Sequence, residues 1–200
     1  MKKILIMILT GLVLSSCATA RLAKGPDTFA LLQHSGGVNL GVSKVLDERE
    51  SKNVGTIGAA GIRVNDEIGP LTTNYLISFL NSKLNANIVR LPDVDKTTVP
   101  AIAKQNNVDK VMVARIKRIK MFSMDALMQP VEVDMDLEVT VFDAAGSEIY
   151  QQMIQGHYEK RIGLTIVDKS TGELVEAAVK DTVSNLITNR NFQTVLSQQQ

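Results

Sequence analysis

The stretch Val131-Glu132-Val133-Asp134-Met135-Asp136-Leu137-Glu138-Val139-Thr140-Val141-Phe142 decides the fold. Its odd positions are apolar from Val131 to Val141, and its even positions are acidic from Glu132 to Glu138. Successive side chains of a strand point to opposite faces, so this period of two predicts a long strand with one buried and one wet face. Asp143-Ala144-Ala145-Gly146 supplies turn residues, and residues 147–158 return as the partner strand.

Working upstream, residues 110–122 predict a further strand with a fault in its pattern. Met112, Ala114 and Ile116 are apolar at even positions, whereas Ile119 and Met121 are apolar at odd ones. A change of phase within Ile116-Lys117-Arg118-Ile119 predicts a β-bulge, because one extra residue restores the buried face. Residues 38–45 alternate as a strand, and Ile88 to Leu91 return as another. Between them Gly69-Pro70 opens a helix, with Leu71, Tyr75, Leu76, Phe79, Leu80 and Leu84 on one apolar stripe. Strand, helix, strand in that order predicts a right-handed parallel crossover. A short helix is predicted over 99–106, with Pro100 in its first turn. Ser170-Thr171-Gly172-Glu173 fits a capping box for a last long helix carrying Val175, Val179, Val183, Leu186 and Ile187 inward. Asn189 to Asn191 interrupt it before a short turn bearing Phe192, Val195 and Leu196. The expectation is an α+β domain: a mixed four- to five-stranded sheet in β-α-β-α-β-β-β-α order, with helices mainly on one face.

The N-terminus carries an address. Lys2 and Lys3 precede an apolar run from Ile4 to Val13, too short to span a hydrocarbon core of about 30 Å. Leu14-Ser15-Ser16-Cys17 then fits a lipobox, and Cys17 is the single cysteine of the chain. The expected organisation is a signal peptide over 1–16, a lipidated Cys17 with a tether to residue 28, and one periplasmic domain over 29–200. Plain secretory cleavage near Ala18 or Ala20 and an uncleaved anchor helix are the alternatives. Diacylglyceryl and N-acyl chains on Cys17 would hold the domain at a membrane permanently, since each buried CH₂ contributes about 0.8 kcal/mol. Ala18 after the cysteine, by likeness to lipoproteins of two-membrane bacteria, predicts the periplasm-facing outer membrane. Signal removal takes away two lysines and no acid, so the net charge of +1 becomes −1. That balance gives no general pull toward nucleic acid.

Candidate chemistry is sparse. Four acids at strand spacing lie about 6.8 Å apart, whereas calcium needs converging oxygens at about 2.4 Å. Glu132, Asp134, Asp136 and Glu138 therefore predict ion pairs with Arg115, Lys117, Arg118 or Lys120 on the next strand. Gly55, Gly58 and Gly61 have the wrong spacing for a phosphate loop and predict a loop or hairpin. His34 and His157 are too few for a zinc site, and no nucleophile elbow is present. No catalytic residue, metal or cofactor is expected. The apolar link between two strands makes Met121, Phe122, Met124, Leu127 and Met128 the candidate partner-binding residues, because methionine adapts to varied surfaces.

Val45-Leu46-Asp47-Glu48-Arg49, followed by Val54-Gly55-Thr56 and the helix after Pro70, resembles the YajG family of small bacterial lipoproteins. In that family a first strand ends in a V-x-D-x-R-like motif, matched here by Asp47 and Arg49. The element order is also similar to auxiliary lipoproteins of ABC-type lipid transport systems and to the LpoB group of penicillin-binding-protein activators. The resemblance implies a fold, an envelope location and no established activity. Asp47 and Arg49 are expected to form a turn-stabilising ion pair. The expected function is a non-catalytic envelope lipoprotein that binds an envelope protein as an adaptor. The alternative is an auxiliary lipid- or amphiphile-binding component of a transport system, which predicts an apolar cleft open to solvent.

Overall fold

The computed structural model describes residues 18–20, 22, 37–57, 60–65, 67–84, 86–123, 130–161 and 167–198. Along the chain run Ala18–Ala20 (β1), Val38–Val42 (β2), Leu46–Asp47 (β3), Asn53–Ile57 (β4), Ala60–Val64 (β5), Ile68–Lys83 (α1) and Ala86–Arg90 (β6). Val99–Asn106 (α2), Lys110–Ser123 (β7), Val131–Asp143 (β8), Glu148–Lys160 (β9), Val167–Thr188 (α3) and Arg190–Ser197 (α4) complete them.

β7 is the axis of the sheet. One edge pairs antiparallel with β8, from Lys110 opposite Asp143 to Phe122 opposite Glu132. Its other edge carries β2, β3 and β4 in series, all parallel to it. β6 lies parallel outside β2, as the predicted crossover requires. β5 pairs antiparallel outside β4, and β1 closes that side parallel to β5. β9 lies outside β8.

The phase fault in β7 is a bulge. Ile116 pairs with Leu137 and Arg118 with Asp136, leaving Lys117 as the extra residue. Ile116 before it and Ile119 and Met121 after it therefore share the buried face. All six apolar residues of β8 from Val131 to Val141 are fully buried on that same face. α1, α3 and α4 supply the opposing layer through Leu76, Leu80, Val179, Val183, Leu186 and Phe192. α2 packs on the other face, where Val99 and Ala103 meet Val111, Val113 and Phe142. The first half of β7 is thus covered on both faces, which is why Lys110 to Ala114 are all buried. Lys110 is buried because its ammonium caps α4, donating to the carbonyls of Leu196 at 3.4 Å and Gln198 at 2.5 Å. Burial pushes its pKa down.

Three expectations need correction. The sheet has nine strands among the described residues, more than the four or five expected, because β1, β3, β4 and β5 join it. Ala18–Ala20, expected within the tether, form a strand, and Ala20 is fully buried beside Val64. Ser170 lies inside α3 and is not its cap, since the helix begins at Val167. The glycine segment resolves as the β4–β5 hairpin pairing, in which Gly55 takes φ +141°; a Cβ there would collide with the Met121 carbonyl. α2 has the predicted bounds, and Asn189 caps α4 by accepting from the Phe192 N–H at 3.1 Å.

α3 packs tightly on β9 at Gly156, where a Cβ would collide with Thr182 Oγ1 and lie 2.9 Å from the Ala178 carbonyl. Gly156→Ala is expected to push the helix off β9 and destabilise the fold by about 1–3 kcal/mol, the usual range for overpacking, read by chemical denaturation. Stability unchanged from the parent would contradict this packing.

Candidate functional site

The V-x-D-x-R segment builds the first cluster. β3 ends at Asp47, which pairs with Ile116 of β7 next to the bulge. Arg49 grips the Asp47 carboxylate in bidentate fashion, Nε to Oδ1 at 2.7 Å and Nη2 to Oδ2 at 2.8 Å. Nη2 also donates to the Val64 carbonyl at 3.0 Å, tying the segment to the end of β5. Lys52 adds a third contact to Asp47 at 2.7 Å. Both side chains of the central pair are buried, 2% and 8% exposed. The pair therefore does more than stabilise a turn: it joins two strands through a desolvated, charge-assisted fork. Burial alone would raise the Asp47 pKa, but the bonds from Arg49 and Lys52 outweigh it and hold the carboxyl below its usual value.

The second cluster covers the wet face of β7, β8 and β9. The bulge aims Lys117 at two acids, Glu48 at 2.7 Å and Glu138 at 3.1 Å, and these bonds raise its pKa. Arg115 also reaches Glu48, at 3.0 Å. Arg118 pairs with Asp136 at 2.7 Å. His157 Nδ1 lies 2.8 Å from Asp134, and that hydrogen bond raises the imidazole pKa. Two of the strand acids, Asp136 and Glu138, thus meet the expected cations of β7, whereas Asp134 takes His157 of β9 and Arg115 turns to Glu48.

α3 finishes this face. Asp181 accepts from the His157 backbone N–H at 3.0 Å, and Asn185 donates to the Gln155 carbonyl at 2.9 Å. Both backbone groups belong to the outer edge of β9, so helix side chains occupy part of a free sheet edge. Arg118, Asp134, Asp136, Gln155, His157, Asp181 and Asn185 border an open groove of about 320 Å³. A second groove of about 550 Å³ runs past Glu48, Arg49, Glu50, Lys117 and Arg118. Both of these grooves are lined mainly by charged and polar side chains. Among the described residues no group of three or more metal-ligating side chains converges.

The expected partner-binding residues divide. Met121 is 1% exposed and belongs to the core, so it offers nothing to a partner; the bulge that turns Ile119 inward turns it inward too. Phe122, the next residue, faces out and is 47% exposed. Met124, Leu127, Met128 and Cys17 lie outside the described residues, as does His34. Sequence reasoning missed Lys52, Val64 and Asp181 as members of these clusters. Lys52 was hidden in a run of charges, and the other two are brought in by tertiary packing with no local signal.

No protein-family model matches the chain, and no curated protein matches it. Protein XCC0632 from Xanthomonas campestris, of the family DUF330, has a similar solved structure: TM-score 0.51 at 11% identity, covering 90% of this chain and 94% of that one. The dodecamer of a PelC variant from Paraburkholderia phytofirmans is similar with TM-score 0.50 at 11% identity, over 92% of this chain and 96% of that one. Lipoprotein GNA1162 from Neisseria meningitidis has TM-score 0.43 at 10% identity, over 74% and 99%. Bacterial lipoproteins are thus among the similar solved structures. The first two likenesses show a shared fold and no more, since fold does not carry function. The third is too distant to carry an argument.

Two outcomes follow from these clusters. Asp47→Asn leaves the Arg49 guanidinium buried and half-paired, and is expected to cost about 3–5 kcal/mol in denaturant unfolding. In the parent protein the contribution of Asp47, whose folded pKa is lowered, is complete above the unfolded carboxyl pKa and is lost as pH falls through the folded value. Asp134→Asn is expected to bring the His157 pKa back toward the ordinary histidine value in an NMR titration. Because the folded pKa of His157 is raised, its stabilising contribution is complete below the unfolded pKa and disappears as pH rises through the folded one. An unchanged titration would contradict the pairing.

Proposed function

We propose that this chain is an envelope lipoprotein held by acyl chains on Cys17 at the periplasmic face of the outer membrane. In this reading it is non-catalytic and serves as an adaptor for another envelope protein. The observation that carries the reading is the junction of lipobox and fold. Cys17 ends the lipobox, and the next residue, Ala18, is already paired with Ile62 in the sheet. A lipid placed there leaves almost no slack, so the domain works at its membrane surface. Asp134 holds the His157 imidazole and Asp181 holds the His157 backbone N–H, so this residue ties β8 and α3 to β9. Among the described residues, the charged face of β7, β8 and β9 and the groove beside Glu48 and Lys117 offer a surface for a protein partner.

Metabolic labelling with a clickable fatty acid tests the anchor. The parent protein is expected to take the label and stay with the membranes, and Cys17→Ser to lose the label and leave them. A Cys17→Ser protein that still carries label, or a parent that carries none, would contradict the reading. For the adaptor role, a photo-crosslinker at Gln155 is expected to give one dominant protein adduct in cells; a ladder of weak adducts, or none, would count against it.

A further inference from the structure

One row of residues crosses six strands: Ala18 of β1, Ile62 of β5, Gly55 of β4, Met121 of β7, Val133 of β8 and Tyr158 of β9. The next row outward on the pairing pattern is Gly61, Thr56, Phe122, Glu132 and Glu159. Cys17 precedes Ala18 by one residue. The end of the sheet at which the chain leaves toward its lipid is therefore the end that displays Phe122. β1 and β7 stand three strand spacings apart, about 14 Å at the usual 4.8 Å per strand. Phe122 and Met153 are the exposed large apolar side chains among the described residues, and Phe122 is the one at this end.

We infer that the domain stands end-on to the bilayer that holds its anchor, with Phe122 seated in the headgroup layer. The inference rests on the lipidation of Cys17 proposed above. A single half-exposed phenylalanine would bind a membrane only fleetingly on its own. An anchor without slack makes the contact intramolecular, so that even a weak contact is populated. An aromatic ring is suited to the membrane–water boundary. Lys160 and Arg161 are exposed where β9 ends on the same side, close enough to extend toward lipid phosphates. Glu132 pairs directly opposite Phe122, and Glu159 lies opposite Glu132. These carboxylates limit the depth: the ring enters the headgroup region and the strands stay in water. The β8–β9 turn at Asp143 to Ser147 then points away from the membrane, about 40 Å off for a strand of this length at 3.4 Å per residue.

The chain has no tryptophan, so a single introduced one reports position cleanly. Full-length Phe122→Trp, Thr56→Trp and Ala144→Trp proteins would be extracted from producing bacteria and reconstituted into phosphatidylcholine vesicles brominated high on the acyl chains. Intact mass would establish acylation of Cys17 in each. Thr56 and Ala144 are both exposed, the first beside Phe122 and the second at the far turn. The expected result is loss of emission for Phe122→Trp and Thr56→Trp, with Ala144→Trp unquenched. Acylated proteins with all three reporters unquenched, or with Ala144→Trp alone quenched, would overturn the end-on placement and leave the anchor standing. Proteins carrying no acyl chain would overturn the anchor and the placement together.

Discussion

The whole sheet hangs on the two edges of β7. A strand of 14 residues offers backbone partners to β8 along one side and to β2, β3 and β4 in succession along the other. Within the sheet the N-terminal strands and the β8–β9 pair meet along that one strand, and above it α1 meets α3, where Tyr75 donates to Glu176. Its first half is sandwiched between α2 and the main core, and its second half is buried on one face only. A regular strand could not serve both halves with this sequence, because Ile119 and Met121 would face water and Arg118 and Lys120 the core. The single extra residue at Lys117 resolves the conflict.

The same bulge organises the charges. It swings Lys117 between Glu48 of the β3 side and Glu138 of β8, so one ammonium bridges strands on both edges of β7. Beside it the buried fork of Asp47 and Arg49 fastens β3 to the end of β5. Exposed pairs such as Arg118 with Asp136 contribute little each. Their effect is to keep a broad sheet face hydrated and charged, while Asp181 and Asn185 of α3 occupy backbone groups on the β9 edge. A face and an edge treated in this way resist indiscriminate strand addition.

Much of this was legible in the chain. The period of two in β8, the phase fault in β7 and the Pro-led α2 are local signals, and each maps to the element it predicted. β3 was not legible as a strand, and β4 and β5 were legible only as one of two readings, loop or hairpin. They are two to five residues long, β4 and β5 contain glycine, and their pairing is decided by the neighbour they reach. β1 was hidden by small residues, Ala-Thr-Ala, that read as a linker; their pairing with Ile62 to Val64 of β5 makes them a strand. The capping box at Ser170 had the right residues, but α3 extends three residues further toward its N-terminus. Of the candidate patch, Met121 was misplaced although the predicted bulge already implied that it faces inward, whereas Phe122 is exposed as expected. The ion pairs of Asp136 and Glu138 with β7 were readable; the pairing of Asp134 with His157 and the contribution of Asp181, 24 residues from His157 along the chain, were not.

Native-state hydrogen exchange across a denaturant series tests the central role of β7 most directly. If both halves of the sheet depend on that strand, the amides of β7, β8 and β2 should share one opening free energy and lose protection together at the global transition. Loss of protection in β2, β6 and α1 at one denaturant concentration and in β8, β9 and α3 at another, with β7 following only one group, would contradict it.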